Sequence, residues 1–276
     1  MEYIEIKLSG LSGDTGEILA AEMCELGFES FSEETGGVMS AFIPSDTFDM
    51  MKTANFLENR ASASGFRYTV ERIAEQNWNA VWESAYQPVK IGSCFIRAPF
   101  HEPDPEAEID LVIEPKMSFG TAHHETTRLM IKALLKISFE GSSVLDMGTG
   151  TGVLGIIAAK LGAQQVVAID NDEWSFLNAR ENADRNNVTE ITVIQGESGD
   201  IPAGKYNYIL ANINRNVLLS DIPVYTGFLA DDGVLVISGF YKEDMDVINK
   251  VTVASGLIQK ESEILNHWAA VTYKKC

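Results

Sequence analysis

The stretch VLDMGTGTG, residues 144 to 152, constrains the fold more than any other part of the chain. An apolar run leads into three alternating glycines, Gly148, Gly150 and Gly152, and an apolar run at helical spacing follows, so the segment reads as strand, tight turn and helix. A turn so stripped of side chains lets a ligand lie directly against backbone. Asp146 stands two positions ahead of the first glycine, and Asp170 closes the next apolar run about 20 residues beyond the loop.

The two acids restrict the ligand. Gly150, Gly152 and Gly155 spell G-x-G-x-x-G, the spacing of a dinucleotide site. A dinucleotide brings a pyrophosphate to the helix N-terminus, where N–H groups and the helix dipole favour negative charge. Asp146 beside that point adds like-charge repulsion. A cofactor without phosphate and with positive charge reverses the argument, and S-adenosyl-L-methionine carries both an ammonium group to be held by the carboxylate and a sulfonium to be balanced by it. Asp170 suits either cofactor, since a carboxylate there can accept both ribose hydroxyls. An NAD-dependent oxidoreductase is therefore the alternative left open by these residues.

Around this loop the chain changes character twice. Residues 1–73 read as strand, helix, strand, strand, helix, strand, with a hairpin around Gly36 and Gly37, which predicts a small α+β domain of the split βαβ, ferredoxin-like kind. Residues 74–88 place Trp78, Val81, Trp82 and Ala85 on one helical face before Pro88 and read as a helical linker. From 89 to 276 strands and helices alternate. DLVIEP, SVLDM, QVVAID, ITVIQG, YNYILANI and GVLVISGF read as strands; 122–137, 152–161, 173–186, 215–229 and 241–254 read as helices; two strands near 257–263 and HWAAVTY close the chain. This pattern predicts an α/β, doubly wound, mostly parallel sheet, with the ligand at the carboxyl ends of its strands.

Bulk properties narrow the setting. Three scattered cysteines with no CxxC pair argue against a disulfide framework or a zinc site, and a cytoplasmic protein is expected. The opening MEYIEIKLSG alternates acids with apolar residues and does not read as a signal peptide, and no apolar run is long enough for a membrane span. A net charge of −19, from 40 acidic against 21 basic residues, disfavours direct nucleic-acid binding and favours encounter with a basic macromolecule. His123 and His124 are adjacent on a loop with one acid, and no metal site is expected from them.

The segment from Val144 to Val188 resembles the cofactor-binding half of class I methyltransferases. IEPKMSFGTAHHETTRLM upstream, LANINRNVL and ISGFYKED downstream, and WNAVWESAYQPVKIG at the joint resemble more narrowly the methyltransferases that modify the large-subunit ribosomal protein L-eleven. The resemblance covers nearly all of 75–273, and the N-terminal domain agrees in layout. It implies a seven-stranded, Rossmann-like sheet and S-adenosyl-L-methionine as cofactor, with contacts on Thr127, Gly148, Asp170 and Asn212, to which the residue reading adds Asp146 and Gly150. It also implies protein N-methylation of lysine ε-amines and of an N-terminal α-amine, with the small domain presenting a basic ribosomal protein to a monomeric enzyme. Other protein or small-amine acceptors are the narrower alternative.

Asn212 is the candidate for orienting the amine, with Phe119 and His124 as candidates for closing the site, although His124 equally suits a helix cap. The segment NINR lacks the asparagine-proline-proline-aromatic signature of nucleic-acid amino methyltransferases. Trp174 and Phe176 are candidates to flank an adenine. One departure stands out: Ala122 replaces a glycine of the related segment, and a positive φ there would cost on the order of 1 kcal/mol.

Overall fold

Strand alternation and helix caps build the fold from local rules. The computed structural model describes residues 2–12, 15–34, 36–73, 83, 85–116 and 118–276. Most of the expected linker helix, 74–82 and 84, lies outside the described residues. The chain divides into two units, Met1–Tyr86 and Gln87–Cys276.

In the first unit the order is β1 (Tyr3–Ser9), α1 (Thr15–Cys24), β2 (Ser30–Glu34), β3 (Val38–Pro44), α2 (Met50–Ser64) and β4 (Arg67–Ile73). The strands lie in the order β2-β3-β1-β4, all antiparallel. Ile4, Ile6 and Leu8 alternate inward on β1 and face Ile43, Ala41 and Met39 across β3. Leu19 and Met23 of α1 and Leu57 of α2 complete this core. Asp49 caps α2 by accepting from the Lys52 amide at 3.0 Å, and Gly65, at φ +75°, ends it in the left-handed conformation that glycine adopts without strain.

The second unit carries β5 (Val89–Ile91), β6 (Cys94–Arg97), β7 (Ile109–Val112), α3 (Glu125–Leu134), β8 (Ser143–Met147), α4 (Val153–Lys160), β9 (Gln165–Asp170), α5 (Glu173–Arg185), β10 (Ile191–Gln195), β11 (Tyr206–Asn212), α6 (Arg215–Phe228), β12 (Leu229–Tyr241), α7 (Met245–Ala254), β13 (Leu257–Leu265) and β14 (Trp268–Lys275). Seven strands form one sheet in the order β10-β9-β8-β11-β12-β14-β13. The first five are parallel, and β14 runs antiparallel to both neighbours. Successive residues of a strand feed opposite cores: Val144, Leu210 and Val236 join α3 and α4 on one face, while Leu145, Ile209 and Leu235 join α6 and α7 on the other.

One expected strand is placed differently. The DLVIEP segment does not enter the large sheet; as β7 it pairs with β6 in a separate three-stranded sheet, β5-β6-β7. Strands β5 and β6 are short and had no clear periodic signal. Asn186 and Asn182 tie the β7 region to α5, with the Val112 and Glu114 amides donating to their side-chain oxygens at 2.9 Å. Buried amides thus do the joining that ladder bonds would otherwise do.

Candidate active site

The strand order reverses between β8 and β11, and there a cleft of about 560 Å³ opens above the carboxyl ends of the parallel strands. Phe119, Gly148, Gly150, Asp170 and Asn212 line it. Glu197 and Ser198 after β10, and Asp221 and Tyr225 on α6, line it as well; sequence reasoning missed all four. Glu197 had a weak signal in its place just beyond the third core strand, and Asp221 and Tyr225 share a helix face at i and i+4. Tyr225 is buried, its hydroxyl donates to Asp221 at 3.2 Å, and burial with the nearby acid raises its pKa.

The glycine loop is held by its own amides. Gly148 and Thr149 both donate to the Ile169 carbonyl, at 2.8 and 3.1 Å, and Gly150 donates to Asp170 Oδ2 at 2.8 Å. Thr151 donates to the Phe119 carbonyl and Gly152 to that of Thr149, each at 2.9 Å. A Cβ on Gly150, at φ +57°, would sit 2.2 Å from the Phe119 carbonyl oxygen, so glycine is required there on both space and conformation.

Asp146 is placed otherwise than its sequence reading expects. It does not line the cleft; its side chain is fully buried beneath the loop. Its Oδ2 accepts from Thr149 Oγ1 at 2.6 Å and from the Gly155 amide at 3.0 Å, in the first turn of α4. The N-cap of α4 is Gly152, which has no side chain, so Asp146 supplies from the strand below the acceptor that a capping residue would give. Burial, with a smaller contribution from Asp170, pushes its carboxyl up to about 6 against the opposing hydrogen bonds.

Thr127 is also buried and touches the site at one remove, accepting from Asn212 Nδ2 at 3.3 Å. That bond turns Asn212 so that Oδ1 is its free end, buried and without a hydrogen-bond partner among the described residues. His124 is the N-cap of α3, its Nδ1 accepting from the Thr126 amide at 3.3 Å, and its ring stands edge to face with Phe119. Phe119 itself is half-exposed on the cleft rim. Trp174 lies exposed outside the cleft, and Phe176 stacks with the Arg180 guanidinium instead of lining it. Ala122 does take a positive φ, +64°, with its methyl buried. The related segment's glycine would avoid that strain.

Asp170 already accepts the Gly150 and Asp172 amides, one on each oxygen, yet a carboxylate has about four acceptor positions and keeps capacity facing the cleft. A bare glycine backbone, an acid with acceptor capacity and an unpartnered amide oxygen fit a nucleoside cofactor with a cationic centre. Among the described residues no group of three or more His, Cys, Asp or Glu side chains could hold a metal, and no helix is long and apolar enough to cross a membrane.

Sheet order, the antiparallel β14 and the cleft at the switch point together define a class I S-adenosylmethionine-dependent methyltransferase. Residues 13–276 match the family described as ribosomal protein L11 methyltransferase (PrmA). Over 264 residues the chain is 41% identical to the ribosomal protein L11 methyltransferase of Porphyromonas gingivalis, covering 93% of this chain and 90% of that protein. It is 40% identical over 264 residues to the protein of that name from Bacteroides fragilis, covering 93% of each. The crystal structure of ribosomal protein L11 methylase from Lactobacillus delbrueckii subsp. bulgaricus aligns with a TM-score of 0.64 at 26% identity, covering 69% of this chain and 100% of that one. The chain belongs to the ribosomal protein L11 methyltransferase family.

Proposed function

We propose that this protein methylates ribosomal protein L11, with lysine ε-amines as its main acceptors and the N-terminal α-amine as a second. The observation that carries the amine reading is Asn212, a neutral side chain that lines the cleft at the end of β11, bonds Thr127 and has an amide oxygen without a partner among the described residues. When bound, S-adenosylmethionine supplies a methyl group made electrophilic by its sulfonium. Asp170 would hold its ribose, and Gly148 and Gly150 would leave backbone bare beside it.

A lysine is protonated at neutral pH, and supplying it neutral at pH 7 costs roughly 4 to 5 kcal/mol from a pKa near 10.4. Asn212 Oδ1 can accept an amine N–H without fixing a positive charge, as a carboxylate would. Desolvation in the cleft lowers the amine's pKa further. Phe119, on the rim, excludes water once an acceptor is seated, and His124 braces its ring.

The match across 13–276 takes in most of the first unit, which supports a role for that unit in presenting the ribosomal protein. The charge of −19 supports a basic partner. The protein acts as a cytoplasmic monomer without direct nucleic-acid contact in this reading. Incubation with labelled cofactor and total ribosomal proteins tests it: label on L11, located to lysines by peptide mass spectrometry, is the expected result. Label on a different protein with L11 unmarked would overturn the substrate assignment.

A further inference from the structure

Three buried asparagines stand about one turn apart along α5: Asn178, Asn182 and, at its C-terminal cap, Asn186. Helix interiors disfavour asparagine, because its amide competes for backbone bonds. Here the amides serve backbone outside the helix. Asn186 holds Val112 at two points, accepting from its amide at 2.9 Å and donating to its carbonyl at 2.7 Å. Asn182 reaches two segments at once: Oδ1 accepts from the Glu114 amide, and Nδ2 donates to the Thr151 carbonyl, each at 2.9 Å. The remaining N–H of Asn182 goes to Asn178 Oδ1 at 3.2 Å, so both of its donors are used.

Thr151 is where the two segments meet. Its amide donates to the Phe119 carbonyl and its hydroxyl to the Gly120 carbonyl, each at 2.9 Å, while its own carbonyl is the one held by Asn182. The backbone that brings the Phe119 ring to the cleft rim therefore hangs on Thr151, and Thr151 hangs on Asn182. Little else shares that load between Glu114 and Phe119. Lys116 pairs with Glu181 at the surface, where an ion pair contributes little. Ser118 Oγ is buried without a partner among the described residues, and so is Asn178 Nδ2.

The glycines on the cofactor side have anchors of their own. Gly148 donates to the Ile169 carbonyl and Gly150 to Asp170, and neither bond involves Asn182. Loss of Asn182 thus frees the Phe119 side of the cleft before it frees the cofactor side. Resting on the reading of Phe119 as the group that excludes water once an acceptor is seated, we propose that Asn182 is a positioning residue for methyl transfer: from within α5 it sets the register of the 114–120 segment against the glycine loop.

The test sets Asn182→Ala beside Asn186→Ala in the full-length protein. Each asparagine is buried and its side chain makes three hydrogen bonds, but Asn186 has none to the glycine loop. Both variants should lower Tm by similar amounts. At a temperature well below either Tm, Asn182→Ala should lower kcat for L11 methylation about ten- to a hundredfold, with S-adenosylmethionine affinity by calorimetry within about threefold. Asn186→Ala should keep kcat within about twofold. Equal losses of kcat in the two variants overturn the proposal, as does a loss in Asn182→Ala that cofactor affinity fully mirrors. Thr151→Val removes only the hydroxyl bond to Gly120 and decides the matter if Asn182→Ala fails to fold: a severalfold fall in kcat supports the link, and an unchanged kcat overturns it.

A second arm is independent of L11. With 4-fluorophenylalanine at position 119, fluorine NMR reads the rim directly in the presence of saturating S-adenosylhomocysteine. The wild type and Asn186→Ala should each give one line at the same shift, and Asn182→Ala a broadened or divided one. Identical spectra from all three proteins overturn the positioning role. If the wild type leaves L11 unmodified while the fluorine spectra differ as stated, the substrate reading falls and the role of Asn182 stands.

Discussion

Replacing Asp146 with Asn separates the charge of this buried acid from its shape. Burial, with a smaller contribution from Asp170, raises its carboxyl from 3.8 to about 6 even against the Thr149 and Gly155 bonds. An acid whose pKa is higher folded than unfolded stabilises the fold in its protonated form. That contribution is complete below about pH 4 and is lost as the pH rises through 6. At about 1.36 kcal/mol per unit, the loss reaches about 3 kcal/mol at neutral pH, and about 2 kcal/mol of it falls between pH 4.5 and 7. Asparagine keeps an oxygen to accept from Thr149 and Gly155 and does not titrate. Its amide NH₂ takes the place of Oδ1, which is buried without a partner among the described residues, at a cost of about 1 to 3 kcal/mol. Asp146→Asn should therefore be close to wild type in stability at pH 7 and clearly weaker at pH 4.5. Urea unfolding of both proteins across this range, subtracted one from the other, cancels every titration they share. The difference should move by about 2 kcal/mol in favour of asparagine as the pH rises. A flat difference would show that Asp146 ionises in the fold as freely as in the unfolded chain, and the argument from burial would fail.

Three further substitutions test the loop and the acceptor. Asp170→Ala should weaken S-adenosylmethionine binding by roughly 1.5 to 3 kcal/mol by calorimetry, through loss of a charge-assisted pair; unchanged affinity would contradict the ribose assignment. Asn212→Ala should lower kcat for L11 methylation by more than it lowers cofactor affinity, and an equal fall in both would remove its role toward the amine. Gly150→Ala should destabilise the protein by more than about 2 kcal/mol, read as a lower Tm, because its Cβ meets the Phe119 carbonyl at 2.2 Å with φ at +57°. A Tm within a degree or two of wild type would mean that the loop can move aside.

Much of this arrangement is legible in the sequence because it follows local rules. The five parallel strands announce themselves as apolar β-branched runs, and the glycine loop with Asp170 fixes where the cleft opens. What escapes is long-range. Asp146 is visible as an acid, but only the fold shows that its nearest donors are Thr149 and an amide of α4, which turns an apparent ligand contact into a helix cap. Thr127 is joined by a hydrogen bond to Asn212, 85 positions away. Trp268 is brought to His124 by an antiparallel strand at the far end of the chain, and no spacing in the sequence joins them. The short strands β5 and β6 carry too few alternations to register, so nothing in the sequence separates β7 from the strands of the large sheet.

The same geometry bears on the two cofactor classes that the G-x-G-x-x-G spacing leaves open. A pyrophosphate is bound by free amides at a helix N-terminus. Here the amides of Gly148, Thr149, Gly150, Thr151 and Gly152 are all engaged within the protein, and the third amide of α4 is taken by Asp146. The acid takes one of the first three amides of the helix that a phosphate would use, and the loop before it turns its amides inward. A nucleoside attached to a cation asks nothing of those amides. It needs an acceptor for its ribose, the role proposed for Asp170, and a bare wall to lie against. Asp146 thus shapes the loop from beneath, by what it accepts from Thr149 and Gly155, without lining the cleft.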